Sequence, residues 1–192
     1  MSGQGRDLPS SQQLSAELKR LKDRKRFIGL LWSTVASLLV VAALAVLISM
    51  LFLPVLRVTG TSMTPTLHND ELVVCRRMGS FERGDVIAFY HNNKILLKRV
   101  IGVAGDVVSV DETGRVTVNG ELLDEPYIDE PALGTCDIEM PYQVPENRFF
   151  VMGDHRSDSI DSRTKEIGCV AEEMVVGRVI WCIWPFGSMK VF

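Results

Sequence analysis

"LLVVAALAVLISMLFL", residues 38–53, is the stretch that divides this chain of 192 residues. It sits inside a longer segment, Phe27 to Leu56, that carries no charge and is bounded by Arg26 and Arg57. About 20 helical residues cross the hydrocarbon core of a bilayer, about 30 Å thick, so the segment is long enough to span one. A cleavable secretory signal has an apolar region of about 7 to 15 residues and a small-residue A-x-A site. Here the run is longer and leaves through "LPVLRV" without such a site, so the reading is an uncleaved signal anchor.

The flanking charges orient it. "KRLKDRKR", residues 19–26, sets six cations against one Asp. Lys and Arg next to a membrane segment stay on the cytoplasmic side. The expected organisation is a cytoplasmic basic segment at 1–26, a transmembrane anchor at 27–56 and an extracytoplasmic domain at 57–192. Leu14, Leu18 and Leu21 recur at helical spacing, which suits a short amphipathic helix on the inner leaflet, with a disordered basic tail as the alternative. The formal net charge of −3 argues against nucleic-acid binding, because phosphate affinity comes from an excess of clustered Lys and Arg.

Beyond the anchor the pattern changes to short Val-, Ile- and Phe-rich runs separated by Gly, Asn and Asp. The expected strands are 71–75, 85–90, 95–102, 106–110, 115–120, 148–153 and 175–184, with hairpin turns at Asn92 and Asn93 and around Gly114. Helical turns are expected only near Thr64 and Glu172. The fold class is mainly β, a β-rich extracytoplasmic domain behind a single N-terminal transmembrane helix. Residues 124–146, "DEPYIDEPALGTCDIEMPYQVPE", are acidic and punctuated by proline, and read as a long excursion from the sheet with no assigned role. Cys75, Cys136, Cys169 and Cys182 all follow the anchor, where disulfides are permitted, yet they lack zinc-ligand spacing. They read as buried small residues or one optional bridge. No metal and no cofactor is expected.

Ser62 lies in "VTGTSMTPTLHNDE", residues 58–71, among small and turn-forming residues. A serine hydroxyl becomes a nucleophile only when a neighbouring base takes its proton. Two kinds of base are available. His155 lies among Asp154, Asp158 and Asp161, so a Ser-His-Asp arrangement is open, although Thr64 departs from the G-x-S-x-G elbow. Lys98 lies in "KILLKRVIG", where strand alternation turns Lys98 and Arg99 to opposite faces and sends one of them inward. Burial lowers the pKa of a lysine, and a catalytic lysine is commonly tuned to about 7 to 8. A strand-edge lysine reaching water is the plain alternative.

Four stretches, "GTSMTPTL" (60–67), "RGDVIAF" (83–89), "LLKRVIGVAGDVV" (96–108) and "VMGDHRSDSIDSR" (151–163), in this order behind an anchor, resemble the sequence boxes of bacterial type I signal peptidases. The resemblance implies a Ser-Lys dyad, with Ser62 as nucleophile and Lys98 as general base. It implies secretory preproteins as substrates, bound as an extended strand and cut after small residues. Ser159 resembles the family serine that aims the lysine amine. Asp161 resembles the aspartate that fixes the surrounding loop by pairing with Arg163 or Arg99, and Asp154 a further structural carboxylate. Two positions depart from the pattern. His155 stands where Asn is more common, and Gly60 lacks the hydroxyl that some members contribute to the oxyanion hole, which leaves the backbone N–H of Ser62 as the donor the sequence names. Met63 and the C-terminal "IWPFG" are candidates for contact with the bilayer interface, with core packing as the other reading of Trp181 and Trp184. The rival function is a non-catalytic membrane-anchored β-domain that binds an extracytoplasmic partner.

Overall fold

The computed structural model describes residues 11–77 and 79–192; the first ten residues of the expected 1–26 segment lie outside the described residues. The chain forms two units, divided after Ile48. Helix α1 (Ser11–Phe52) is continuous, so Leu14, Leu18 and Leu21 belong to it and not to a separate amphipathic helix. Its large apolar side chains are exposed all round, from Leu30 and Trp32 to Leu47 and Leu51. Among the described residues it is the one helix long and apolar enough to cross a membrane. It stops at Phe52, short of Leu56, because Pro54 has no N–H to donate and disfavours helical geometry at Leu53.

After α1 the chain is β, apart from two one-turn 3₁₀ helices at Glu172–Met174 and Phe186–Ser188. Its strands are β1 (Val55–Arg57), β2 (Leu72–Arg76), β3 (Val86–His91), β4 (Lys94–Gly102), β5 (Val107–Val110), β6 (Val116–Val118), β7 (Glu121–Leu122), β8 (Tyr142–Gln143), β9 (Arg148–Met152), β10 (Val170–Ala171), β11 (Val175–Trp184) and β12 (Lys190–Val191). All seven runs expected from the sequence are strands, each within two residues of the expected ends. The five additional strands have two or three residues each, too short for an alternating pattern to register. A one-turn 3₁₀ helix forms at Glu172–Met174 as expected, whereas Thr64 lies in a turn.

The larger sheet has the order β1-β2-β11-β3-β4-β9-β10, with β12 also paired to β11; the smaller runs β7-β6-β5-β8. Asn92 and Asn93 close the β3–β4 hairpin with φ of 44° and 63°, the left-handed pair that matches the twist of the flanking strands. This sets the register Ile87↔Lys98 and Val86↔Arg99. Strand β9 joins the other edge of β4 only from Arg99 onward. The outer edge of residues 94–98 is therefore left without a strand partner among the described residues.

Three apolar clusters hold the sheets. One gathers Val58, Met63 and Leu67 under Val73, Val86 and Val179. Another joins Ile101, Phe150 and Met152 to the small sheet through Val108, Val118 and Val144. Gly102 lies where the two sheets meet: a Cβ there would fall against Val108 Cγ2 and Val144 Cγ2, so only glycine allows the approach. The 124–146 excursion is not outside the core, since Leu133, Ile138, Met140 and Tyr142 pack against that second cluster. All four cysteines are free thiols; Cys75, Cys169 and Cys182 are buried and Cys136 is half-buried.

Candidate active site

Ser62 is placed by its neighbours. Met63 is 2% exposed and Leu67 is fully buried, and these two anchors pin the turn to the core. Burying side chains of this kind is worth about 1.5 to 3 kcal/mol each. The Leu67 N–H donates to the Met63 carbonyl at 2.8 Å and the Thr64 N–H to the Thr61 carbonyl at 3.0 Å, closing a tight turn around the serine. Met63 is thus a core residue and not a membrane contact. From the other side, the 153–163 loop grips the same turn. The His155 N–H donates to the Ser62 carbonyl at 3.1 Å, and Thr61 Oγ1 donates to Asp158 Oδ2 at 2.8 Å.

Lys98 and Arg99 do point to opposite faces of β4, but both are buried, at 3% and 7% exposure. Alternation sent one of them inward, and both are covered because protein packs on both faces of the strand here. On one face, Lys98 Nζ stands 2.6 Å from Ser62 Oγ. Its burial lowers the amine pKa from the ordinary 10.5 to about 8; Asp161, Asp154 and Asp158 pull it upward and Arg163 reinforces the drop. At pH 7 that raises the neutral amine from roughly 0.03% to roughly 10% of molecules. On the other face, Arg99 makes a two-point pair with Asp154, Nε to Oδ1 at 2.9 Å and Nη2 to Oδ2 at 2.6 Å.

The third pair closes the loop. Arg163 donates to Asp161 through Nε and Nη2, at 2.8 Å each. Asp161 Oδ2 also accepts the Gly153 N–H at 3.0 Å. Of the two partners the sequence allowed for Asp161, it is Arg163 that pairs with it, while Arg99 serves Asp154. Ser159 corrects an expectation. Its hydroxyl is buried and has no hydrogen-bond partner among the described residues, so the expected bond to the lysine amine is not formed here.

No histidine ring reaches the serine with a hydrogen bond among the described residues. His155 contributes its backbone; its Nδ1 is 4.0 Å from Asp158 Oδ2 and has no hydrogen-bond partner. The His91 ring meets Asn92 instead. The Gly60 N–H donates to Asn69 Oδ1 at 2.9 Å, so it is already committed. No acceptor for the Ser62 N–H is found among the described residues.

A groove of about 480 Å³ runs from Ser62 and Lys98 between Leu56–Gly60 on one wall and Asn93–Leu97 on the other. The second wall is the unpaired edge of β4. An extended peptide laid there meets backbone groups ready to pair and a mouth lined by Val58, Met63 and Leu97. A second hollow of about 460 Å³, bounded by His91, Ile160 and Ile167, meets the first along Ser62, Lys94, Leu96 and Lys98. Nothing in the sequence pointed to Arg156, which is 1% exposed and pairs with Glu125. Counting charges would not have found it, since Arg99, Arg156 and Arg163 are matched in number by Asp154, Asp158 and Asp161, and only the exposure of Asp158 leaves one arginine short of a buried partner.

The family model described as "Signal peptidase, peptidase S26" matches residues 31–184. The chain is similar to signal peptidase I S of Bacillus subtilis, 33% identical over 171 residues, covering 83% of this chain and 91% of that protein. It is similar also to signal peptidase I of Bacillus licheniformis, 37% identical over 176 residues, covering 83% and 92%. A crystal structure of a signal peptidase I from Enterococcus faecalis is 30% identical, with a TM-score of 0.43, covering 53% of this chain and 97% of that one.

Proposed function

The chain belongs to the signal peptidase family, peptidase S26, and from that premise we propose that it is a membrane-anchored serine endopeptidase that removes signal peptides from secreted preproteins, with Ser62 as nucleophile and Lys98 as general base. The observation that carries this reading is the 2.6 Å contact between Lys98 Nζ and Ser62 Oγ, made by a lysine withdrawn from water.

In the reaction, the neutral amine accepts the Ser62 hydroxyl proton as Oγ attacks the scissile carbonyl. The ammonium then gives that proton to the departing amine, and the regenerated amine activates water to release the acyl-enzyme. The Ser62 N–H, without a protein acceptor among the described residues, donates to the developing oxyanion. Ser159, buried with its hydroxyl uncommitted, packs with the Ser62 carbonyl around Gly153. Asp154 with Arg99 and Asp161 with Arg163 hold the loop and do not react.

The anchor supplies the setting. Residues 1–26 lie in the cytoplasm, α1 carries the span from Phe27 to Phe52, and the β unit from Val55 onward works outside, next to the surface where a signal sequence presents its cleavage site. Tethering both partners to one bilayer raises their local concentration. Trp181 and Trp184, each 47% exposed, with Phe186 at 76%, are the residues we assign to the lipid interface.

The test is cleavage of a secretory precursor in proteoliposomes by the full chain and by Ser62→Ala, Lys98→Ala and His155→Ala. Loss with the first two and survival with the third is expected. Survival of Lys98→Ala with loss of His155→Ala would reassign the base, and no cleavage by the unaltered chain would point to a binding module.

A further inference from the structure

The 124–146 segment runs past all three buried arginines of the site and meets each by a different chemistry. We propose that Glu125 and Tyr127, at the head of this segment, are positioning residues for the dyad: they complete the surroundings of Arg156 and Arg99 and so fix the loop that sets Lys98 against Ser62.

The charge count makes the case. Arg99, Arg156 and Arg163 are all buried, at 7%, 1% and 0% exposure. The loop itself offers two buried carboxylates, Asp154 and Asp161, and both are taken by Arg99 and Arg163. Asp158 is largely exposed and receives Thr61. Arg156 would then be a buried cation with no counter-ion, an arrangement that folded proteins do not tolerate. Glu125 fills the vacancy from outside the loop, through Nη1 to Oε2 at 2.8 Å and a second bond from Nη2 to Oε1.

What Arg156 does with its remaining donor connects Glu125 to the site. Its Nε donates to the Gly153 carbonyl at 3.1 Å, while the Gly153 N–H is held by Asp161. Gly153 packs so closely on the Ser62 carbonyl and the Ser159 side chain that a Cβ would overlap both. The line Glu125, Arg156, Gly153, Ser62 is therefore one of direct contacts. Tyr127 braces it from the side: its hydroxyl donates to Glu125 Oε1 at 2.8 Å, and its ring lies 3.9 Å from the Arg99 guanidinium carbon. Farther along, the Ala132 and Leu133 carbonyls accept from Arg163 Nη1 at 3.1 and 2.5 Å. The two-point pairing matters because it fixes orientation as well as charge.

This inference rests on the Ser62–Lys98 reading, and its test separates the two. The full chain in proteoliposomes is compared with Glu125→Gln, with the double variant Glu125→Leu and Arg156→Met, and with Asp129→Asn, an exposed carboxylate of the same segment. Displacing a catalytic pair by about 1 Å costs on the order of 10²-fold in rate. Glu125→Gln is expected to lower kcat by about that factor with KM within about twofold, because the groove between Leu56–Gly60 and Asn93–Leu97 is untouched. It also leaves one more positive charge in the cluster that holds Asp154, Asp158, Asp161 and Arg163 around Lys98. The acid limb of the rate profile therefore moves to lower pH. The double variant is expected to regain thermal stability without regaining kcat, since the hold on the Gly153 carbonyl is gone. Asp129→Asn matches the parent. If Glu125→Gln does not fold, Glu125→Asp, which keeps the charge on a shorter arm, should show the kcat loss with the acid limb in place. Parental kcat in a folded Glu125 variant, or kcat returning together with stability in the double variant, would overturn the proposal. Equal cleavage by Ser62→Ala and the parent would instead remove the dyad reading beneath it.

Discussion

Arg99 and Asp154 form a planar two-point pair on the face of β4 that Lys98 does not occupy, with side chains 9% and 0% exposed. Arg99 also donates to the Gly84 carbonyl at 2.8 Å and to Thr66 Oγ1 at 3.2 Å. One strand thus carries the proposed base on one side and, on the next residue, the bolt that fixes its height relative to the loop.

Breaking a buried pair by removing one charge is far more costly than replacing both partners, because the survivor keeps its desolvation penalty. Asp154→Asn should therefore lower the unfolding free energy of the β unit by about 3 to 5 kcal/mol, measured by denaturant titration of the full chain in detergent. The double replacement Arg99→Met with Asp154→Leu should recover most of that loss. A single variant no worse than the double would mean that the pair is already relaxed by water.

The pH dependence of cleavage follows from the lysine. With its amine pKa lowered to about 8 by burial, kcat/KM should climb about tenfold per unit below pH 8 and level off above it, since only the neutral amine accepts the serine proton. An ordinary lysine would place that bend near 10.5. A bend near 6.5, the ordinary range for histidine, would move the base to His155.

How far the sequence carries can be judged at particular residues. The long apolar helix was legible because thirty uncharged residues in a row are long and apolar enough to cross a membrane, and its C-terminal end was misjudged because Pro54 ends a helix before apolar composition does. The long strands were legible from alternation and turn residues such as Asn92 and Asn93. Lys98 stood out because a cation inside an apolar run needs a reason. Arg156 and Glu125 did not, since they are 31 positions apart and each looks like a solvated charge until the fold joins them. The burial of Arg99 was hidden for the same reason: alternation tells which face a side chain takes, not whether a distant segment such as Tyr127 covers that face.

Gly153 is held by contact and not by backbone freedom. An added Cβ would fall against Ser159 Oγ and the Ser62 carbonyl, both backed by packed protein, so one of them must move. Gly153→Ala should leave the groove, and hence KM, close to the parent while kcat falls on the order of 10²-fold. Steady-state kinetics on a precursor series would read this. A rise in KM with kcat intact would show that the loop yields and Ser62 does not.

Lys98 should also be a burden on stability, and the sign can be worked out. Its folded pKa, about 8, lies below the unfolded 10.5, so between these values the unfolded chain binds a proton that the folded chain has released. Stability from this group therefore rises with pH through that window, and below pH 8 the full penalty applies. At 1.36 kcal/mol per unit the penalty is about 3 kcal/mol. Lys98→Met, similar in volume and uncharged, should abolish cleavage yet raise the unfolding free energy at pH 7 by about 1 to 3 kcal/mol, less whatever the lost contact to Ser62 Oγ contributed. The gain should shrink as the pH rises from 8 toward 10.5. Denaturant titrations of parent and variant in detergent at pH 7 and pH 10 decide it: a gain that stays constant, or a variant less stable at both, would show that the folded protein holds this amine at no electrostatic cost.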